Sequence, residues 1–122
     1  MANVARDEAR EYRIAMEAIV DAYDAEEQAL GWYYHLEEKM AFPFQATCTQ
    51  ERRTSPLRLG QTVEVMGMAP EAECAHEMFV DITWQKRTLS VPLRQLTGLD
   101  VDDDTQEAIE DWRYWLDRGY QL

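Results

Sequence analysis

Near the C-terminal end, DVDDDTQEAIED (Asp100 to Asp111) places carboxylates at alternate positions, the pattern with which a calcium loop wraps its ion. An EF-hand loop takes oxygen ligands from positions 1, 3, 5 and 12 and a backbone carbonyl at 7, and needs glycine at 6 for its sharp turn. Asp100, Asp102, Asp104 and Asp111 fill the acidic positions, but position 6 is Thr105, and Asp stands at 12 where a bidentate Glu is required. Asp104-Thr105-Gln106-Glu107 also has the form of a capping box, so the backbone should turn helical where an EF loop must still curve around the ion. The preceding Gln95-Leu96-Thr97-Gly98-Leu99 lacks a helical pattern. The spacing therefore predicts a helix start collared by Asp102, Asp103 and Asp104, either a solvated cap or a source of carboxylates for a divalent cation.

A second acidic stretch, APEAECAHE (Ala69 to Glu77), falls between two strand-like segments, and a loop there can aim carboxylates and carbonyls at one point, as a hard cation prefers. Its plain alternative is a hydrophilic surface loop. Zinc is a weaker idea: Cys74 and His76 are close in sequence, and Cys48 and His35 could join them, but no CxxC or HxxxH spacing exists. With two histidines and no nucleophile–base pattern, enzyme chemistry is not predicted.

The charge narrows the partners. Asp and Glu total 24 against 12 Lys and Arg, a net charge of −12. Such a surface repels nucleic acid and anionic membranes and attracts cations or a basic protein partner, although acidity can also serve solubility alone. Two cysteines make no disulfide framework, and the N-terminal MANVARDEAREYR lacks the apolar core of a signal peptide, so reduced thiols and a cytoplasmic location are expected.

The elements that must position these acids follow from hydrophobic period. The length predicts one domain spanning residues 1–122. Residues from about 6 to 23 align Tyr12, Met16, Ile19, Val20 and Tyr23 on one helical face. Asp24-Ala25-Glu26-Glu27 looks like a capping box opening a second helix, with Ala29, Tyr33, Leu36 and Met40 as its apolar stripe and Asp24, Glu27, Gly31, His35 and Glu38 opposite. Phe42-Pro43-Phe44 ends the helical region.

The period then changes to two. Phe44, Ala46 and Cys48 alternate, Thr62 to Val65 alternates again, and Gly67 marks a bulge or strand end. Met78, Val80, Ile82 and Trp84 share a strand face, Lys86-Arg87 reads as a reversal into Thr88 to Val91, and Pro92 to Leu96 as a short helical turn. A final helix from about Thr105 to Arg118 carries Ile109, Trp112 and Leu116 on one face, with Trp115 beside them. The expected class is α+β: an N-terminal helical segment, a small, partly open SH3-like antiparallel β-barrel, and a C-terminal helix.

Several segments carry a resemblance: REYRI (Arg10 to Ile14), VDAYDAEEQALGWYYHLEEKMAFPF (Val20 to Phe44), VEVMGMAPEAECAHEMFV (Val63 to Val80), VPLRQL, and EAIEDWRYWLDRGY (Glu107 to Tyr120). Together they resemble the small acidic cyanobacterial calcium-binding proteins, whose best-known member is linked to heterocyst differentiation. The resemblance implies calcium held at surface acidic sites without EF-hands, and a role in buffering the free ion.

The expected ligands are chosen on physical grounds. Glu38 should approach the 71–77 loop if helix and barrel pack together, with Glu71, Glu73 and Glu77 completing one site; Asp102, Asp103 and Asp104 supply a second. Asp24 and Glu27 are reserves better suited to capping. Water would fill the remaining positions, giving affinities of roughly 10⁻⁶ to 10⁻³ M, weaker than buffer-type EF-hands.

Overall fold

Asp7 accepts the Arg10 N–H and starts α1 (Glu8–Arg13) in the computed structural model, which describes residues 4–122. The helix continues as a π-helical turn, Ile14–Ala18. Rows four residues apart then face opposite ways: Ile14 and Ala18 are buried, while Tyr12, Met16 and Val20 are exposed. The apolar face expected to seek the core is therefore turned to solvent together with Tyr23, and only Ile19 of that set packs against the core.

The cause lies on the last helix, α3 (Asp103–Asp117). Its buried Asp111 accepts from Arg10 Nη1 at 2.7 Å, from Arg13 Nη2 at 2.7 Å and from Arg13 Nε at 2.9 Å. These two arginines fix the rotation of α1 and bring Ile14 and Ala18 inward.

In α2 (Ala25–Lys39), Asp24 accepts the Glu27 N–H and the Glu27 carboxylate accepts the Tyr23 N–H, so both acids work as caps. The buried stripe is Ala29, Trp32, Tyr33, Leu36 and Met40. Gly31 lies against the end of the π turn, where a Cβ would fall inside contact distance of the Ala18 carbonyl oxygen. Glycine is what permits that approach, and the sequence expectation of Gly31 on a solvated acidic face is corrected by it. Trp32 meets Trp112 edge-on, with ring centroids 5.1 Å apart, and Trp115 at 5.7 Å.

Past a cis Phe42–Pro43 bond, the chain enters β1 (Phe44–Cys48), followed by β2 (Thr62–Met68), β3 (Phe79–Trp84), β4 (Arg87–Pro92) and β5 (Leu96–Leu99). All pairings are antiparallel, in the order β4-β3-β2-β1-β5, so β4 and β5 are the two edges and the sheet is not closed. Phe44, Ala46 and Cys48 point inward as their alternation requires, as do Val63 and Val65. The β2–β3 register slips between Val65 and Gly67, leaving a bulge at the exposed Met66 where Gly67 had marked one. A single 3₁₀ turn, Leu93–Gln95, links β4 to β5. The chain is α+β: three helices and a five-stranded antiparallel sheet, with α2 and α3 against the sheet and the N-terminal helical segment against α2 and α3.

The β3–β4 reversal sits one residue earlier than the sequence suggests. Trp84 pairs with Arg87, and the two turn residues, Gln85 at φ 48 and Lys86 at φ 66, are both left-handed, as a two-residue type I′ hairpin requires. Neither residue type favours that region. Replacing them by the preferred pair, Gln85→Asn with Lys86→Gly, is expected to stabilise the fold by about 1 kcal/mol. A higher urea midpoint at unchanged slope is the readout, and an unchanged or lower midpoint contradicts the assignment.

Candidate cation-binding surface

Most cations are already engaged. Arg10 and Arg13 hold Asp111, Lys39 holds Glu107 at 2.7 Å and Glu17 at 3.5 Å, Arg94 pairs with Asp117, and Arg118 approaches Glu11 at 3.7 Å. This seam between the helices absorbs part of the positive charge, and many acids elsewhere have no cationic partner. Among the described residues Glu38, Glu64, Glu71, Glu73, Asp100, Asp102, Asp103 and Asp104 enter no ion pair.

The loop from residue 69 to 78 is shaped by a 3₁₀ turn, Glu71–Cys74, and tied to α2 through Tyr33, whose hydroxyl donates to the Ala69 carbonyl at 2.7 Å. Glu71 and Glu73 are exposed on that turn, and the Tyr34 hydroxyl donates to Glu71. That hydrogen bond to a carboxylate keeps the Tyr34 phenol protonated by raising its pKa. Glu77 is turned away from this group: the Arg52 guanidinium grips it, Nη1 to Oε1 at 2.7 Å. Glu38 is not brought to the loop but lines a depression of about 460 Å³ with Glu17, His35, Lys39 and Asp104. The acidic residue of α2 that shares a cleft with Glu71 and His76 is Glu26, at the opposite end of the helix.

The Asp collar sits at the start of α3. Asp102, not Asp104, is the N-cap: it accepts the Thr105 N–H at 2.7 Å, and helix begins at Asp103. Thr105 decides the position, because its buried Oγ1 accepts the Ala41 N–H at 2.9 Å and ties the first turn to the chain after α2. Hydrogen bonds from the Thr105 hydroxyl and N–H hold the Asp102 carboxyl below the ordinary Asp range. Glu107, which the capping-box pattern would turn back to the cap, bonds Lys39 instead, and this holds its carboxyl below the usual value. Residues 100–111 are thus no EF loop, since the helix starts at Asp103 and Asp111 is clamped in the core.

Asp102 lies in a second depression of about 380 Å³, with Gln45, Glu64, Asp100 and Thr105 among its lining residues. The strands explain it. Gln45 stands opposite Glu64 on β2 and Leu99 on β5, and Asp100, at φ 55, turns the chain from β5 toward α3. Glu64 and Glu17 escape the sequence-based choice because only strand register and helix packing bring them beside the collar and Glu38, whereas Asp100, two residues before Asp102, falls out of it with the EF-hand reading. The alternation of Glu64 between two buried valines was the one available signal, and it gives the side of the sheet without the neighbours.

The donors are hard oxygens, the kind calcium takes. Among the described residues no three His, Cys, Asp or Glu side chains stand close enough to enclose a metal by themselves, so an ion here would draw on carbonyls and water as well. The cysteines contribute nothing to such a set. Both are buried, and burial raises the Cys74 pKa and keeps it a thiol. Burial, reinforced by Lys39, lowers the His35 pKa, so its ring is neutral near pH 7 and adds no positive charge beside Glu38.

An acidic α+β chain with five of its cations drawn into a helix seam and many carboxylates unpaired on the surface suits cation binding, and the chain belongs to a family described as calcium binding, whose model matches residues 12–116. Over 100% of both chains it is similar to Anabaena CcbP, at 48% identity and a TM-score of 0.88. It is likewise similar to a calcium-binding protein in its calcium-binding form, at 47% identity, TM-score 0.86, and 100% of both chains. No match is found among curated proteins. The resemblance carried by REYRI and EAIEDWRYWLDRGY is borne out, and its residues are structural: Arg10, Arg13, Ile14, Asp111, Trp112 and Trp115 make the seam and core that hold the helices together.

Proposed function

We propose that this protein binds calcium reversibly at surface carboxylates, without EF-hands, and so buffers the free ion in the cytoplasm. The observation that carries the proposal is the full-length likeness, at nearly half identity, to a calcium-binding protein in its calcium-binding form. The unpaired acids around Asp102 and around Glu71 supply the chemistry: crowded carboxylates repel one another, and a divalent ion relieves that cost while gaining oxygen ligands. Exposed donors with water completing the shell suit fast exchange and modest affinity, as a buffer needs. Two buried free thiols support a reducing compartment. The strand order, with a 3₁₀ turn between the edge strands β4 and β5, supports a partly open SH3-like barrel as the scaffold.

Charge-neutralising variants test the ligand assignment. Glu71→Gln with Glu73→Gln should remove one component of the calcium-binding heat, and Asp102→Asn, Asp103→Asn and Asp104→Asn together a different one. Asparagine is a good N-cap, so the triple variant should keep its fold. Asp24→Asn, at a residue occupied in capping α2, should bind as the parent does. Loss of binding on Asp24→Asn, or full binding in both multiple variants, contradicts the assignment.

A further inference from the structure

The outward side of the N-terminal helical segment and of the connection after it has no role in the fold or in the proposed calcium chemistry. Tyr12 is 69% exposed, Met16 53%, Val20 50% and Tyr23 86%, whereas Ile14 and Ala18 do the packing on the other side. Scattered surface hydrophobics are ordinary, but four large ones within twelve residues, Tyr12 and Met16 on the helical segment and Val20 and Tyr23 on the turn and connection that follow it, mark an interaction surface. The frame around this row is acidic. Glu8, Glu17, Asp21, Asp24 and Glu27 are all exposed, and from residue 4 to 30 the one exposed cation among the described residues is Arg6, which is paired with Glu8.

We propose that the face formed by Tyr12, Met16, Val20 and Tyr23 docks a basic amphipathic helix of another protein, its apolar stripe laid along this row and its Lys or Arg flanks against the carboxylate frame. Charge selects this occupant. A second copy of the chain, with a net charge of −12, would bring two acidic frames together, and an anionic lipid surface would be repelled in the same way. A basic helix gains both apolar burial and charge pairing. Met16 at the centre of the row has an unbranched, adaptable side chain, suited to packing against a partner helix.

The test uses the full chain with its methionine methyl groups labelled, titrated in chelator with a synthetic amphipathic Leu/Lys helical peptide and with a scrambled peptide of the same composition. The Met16 methyl signal should shift and saturate, while that of Met66, exposed on β2, stays in place. Met16→Ser and Val20→Ser, both surface changes, should each weaken binding by about tenfold, and the scrambled peptide should bind about tenfold more weakly than the ordered one. Equal shifts at Met16 and Met66, equal affinity for the scrambled peptide, or unchanged binding by the variants would overturn the proposal. So would a concentration-dependent dimer of the unliganded protein that Val20→Asp abolishes, because that result assigns the face to a second copy.

Discussion

Replacing Asp111 by alanine is expected to cost about 3–5 kcal/mol of folding stability, since removing one partner of a buried ion pair leaves the other charges uncompensated. Asp111 is 1% exposed and accepts three hydrogen bonds from Arg10 and Arg13, residues roughly a hundred positions away in sequence. Its carboxylate holds the Arg13 guanidinium more firmly protonated than usual. The arginines are themselves about a quarter exposed, so they can recover some hydration when the acid is lost, which favours the lower end of the range. Glu110, the neighbour on α3, approaches Arg10 at 3.7 Å with a half-exposed side chain, and Glu110→Ala should cost no more than about 1 kcal/mol. Denaturant unfolding of both variants checks the contrast. Equal effects would mean that the seam is not an organising contact.

Trp112→Ala should be similarly damaging, at about 3–5 kcal/mol, because it empties the centre of the aromatic cluster between α2 and α3. Trp112 is fully buried, lies edge-on to Trp32, and stacks on Trp115 with ring centroids 5.7 Å apart. Trp112→Phe should cost far less, about 1 kcal/mol. The phenyl ring keeps much of the apolar contact and removes an indole N–H that has no hydrogen-bond partner. Near-UV circular dichroism should lose much of its tryptophan signal in either variant, while only the alanine variant shows a large drop in unfolding midpoint. A mild effect of Trp112→Ala would place the core elsewhere.

These two residues also show where sequence patterning succeeds and where it stops. Trp112 is legible because Ile109 and Trp112 recur at helical spacing, and the inward sides of β1 and β2 follow from simple alternation. The Leu93–Gln95 turn is legible from the proline before it. The buried side of the N-terminal helical segment is not, because the apolar set of Tyr12, Met16 and Val20 outweighs Ile14 and Ala18 on any hydrophobic count. Only the distant Asp111, reached by Arg10 and Arg13, sets the helix's rotation. The N-cap of α3 moves from Asp104 to Asp102 for a related reason: the buried Thr105 hydroxyl is tied to Ala41, a contact that no local motif contains.

The acids divide along the same line. Asp102, Asp103 and Asp104 are legible as an exposed collar, and Glu71 and Glu73 as an exposed turn, because local sequence sets their exposure. Their neighbours depend on tertiary contacts. Glu77 is taken by Arg52 and Glu38 lies beside Asp104, while Glu64 joins Asp100 and Asp102 through the pairing of Gln45 with Glu64 and Leu99.

Calorimetric titration of the intact chain with Ca²⁺ in excess Mg²⁺ tests the central claim most directly. Calcium tolerates the irregular, water-completed oxygen shells that these depressions offer, whereas magnesium demands a tight octahedron and gives up its water reluctantly. A saturable heat is predicted, with dissociation constants of roughly 10⁻⁶ to 10⁻³ M. Heat no larger than that of dilution, or binding that magnesium abolishes, would contradict calcium binding by this protein.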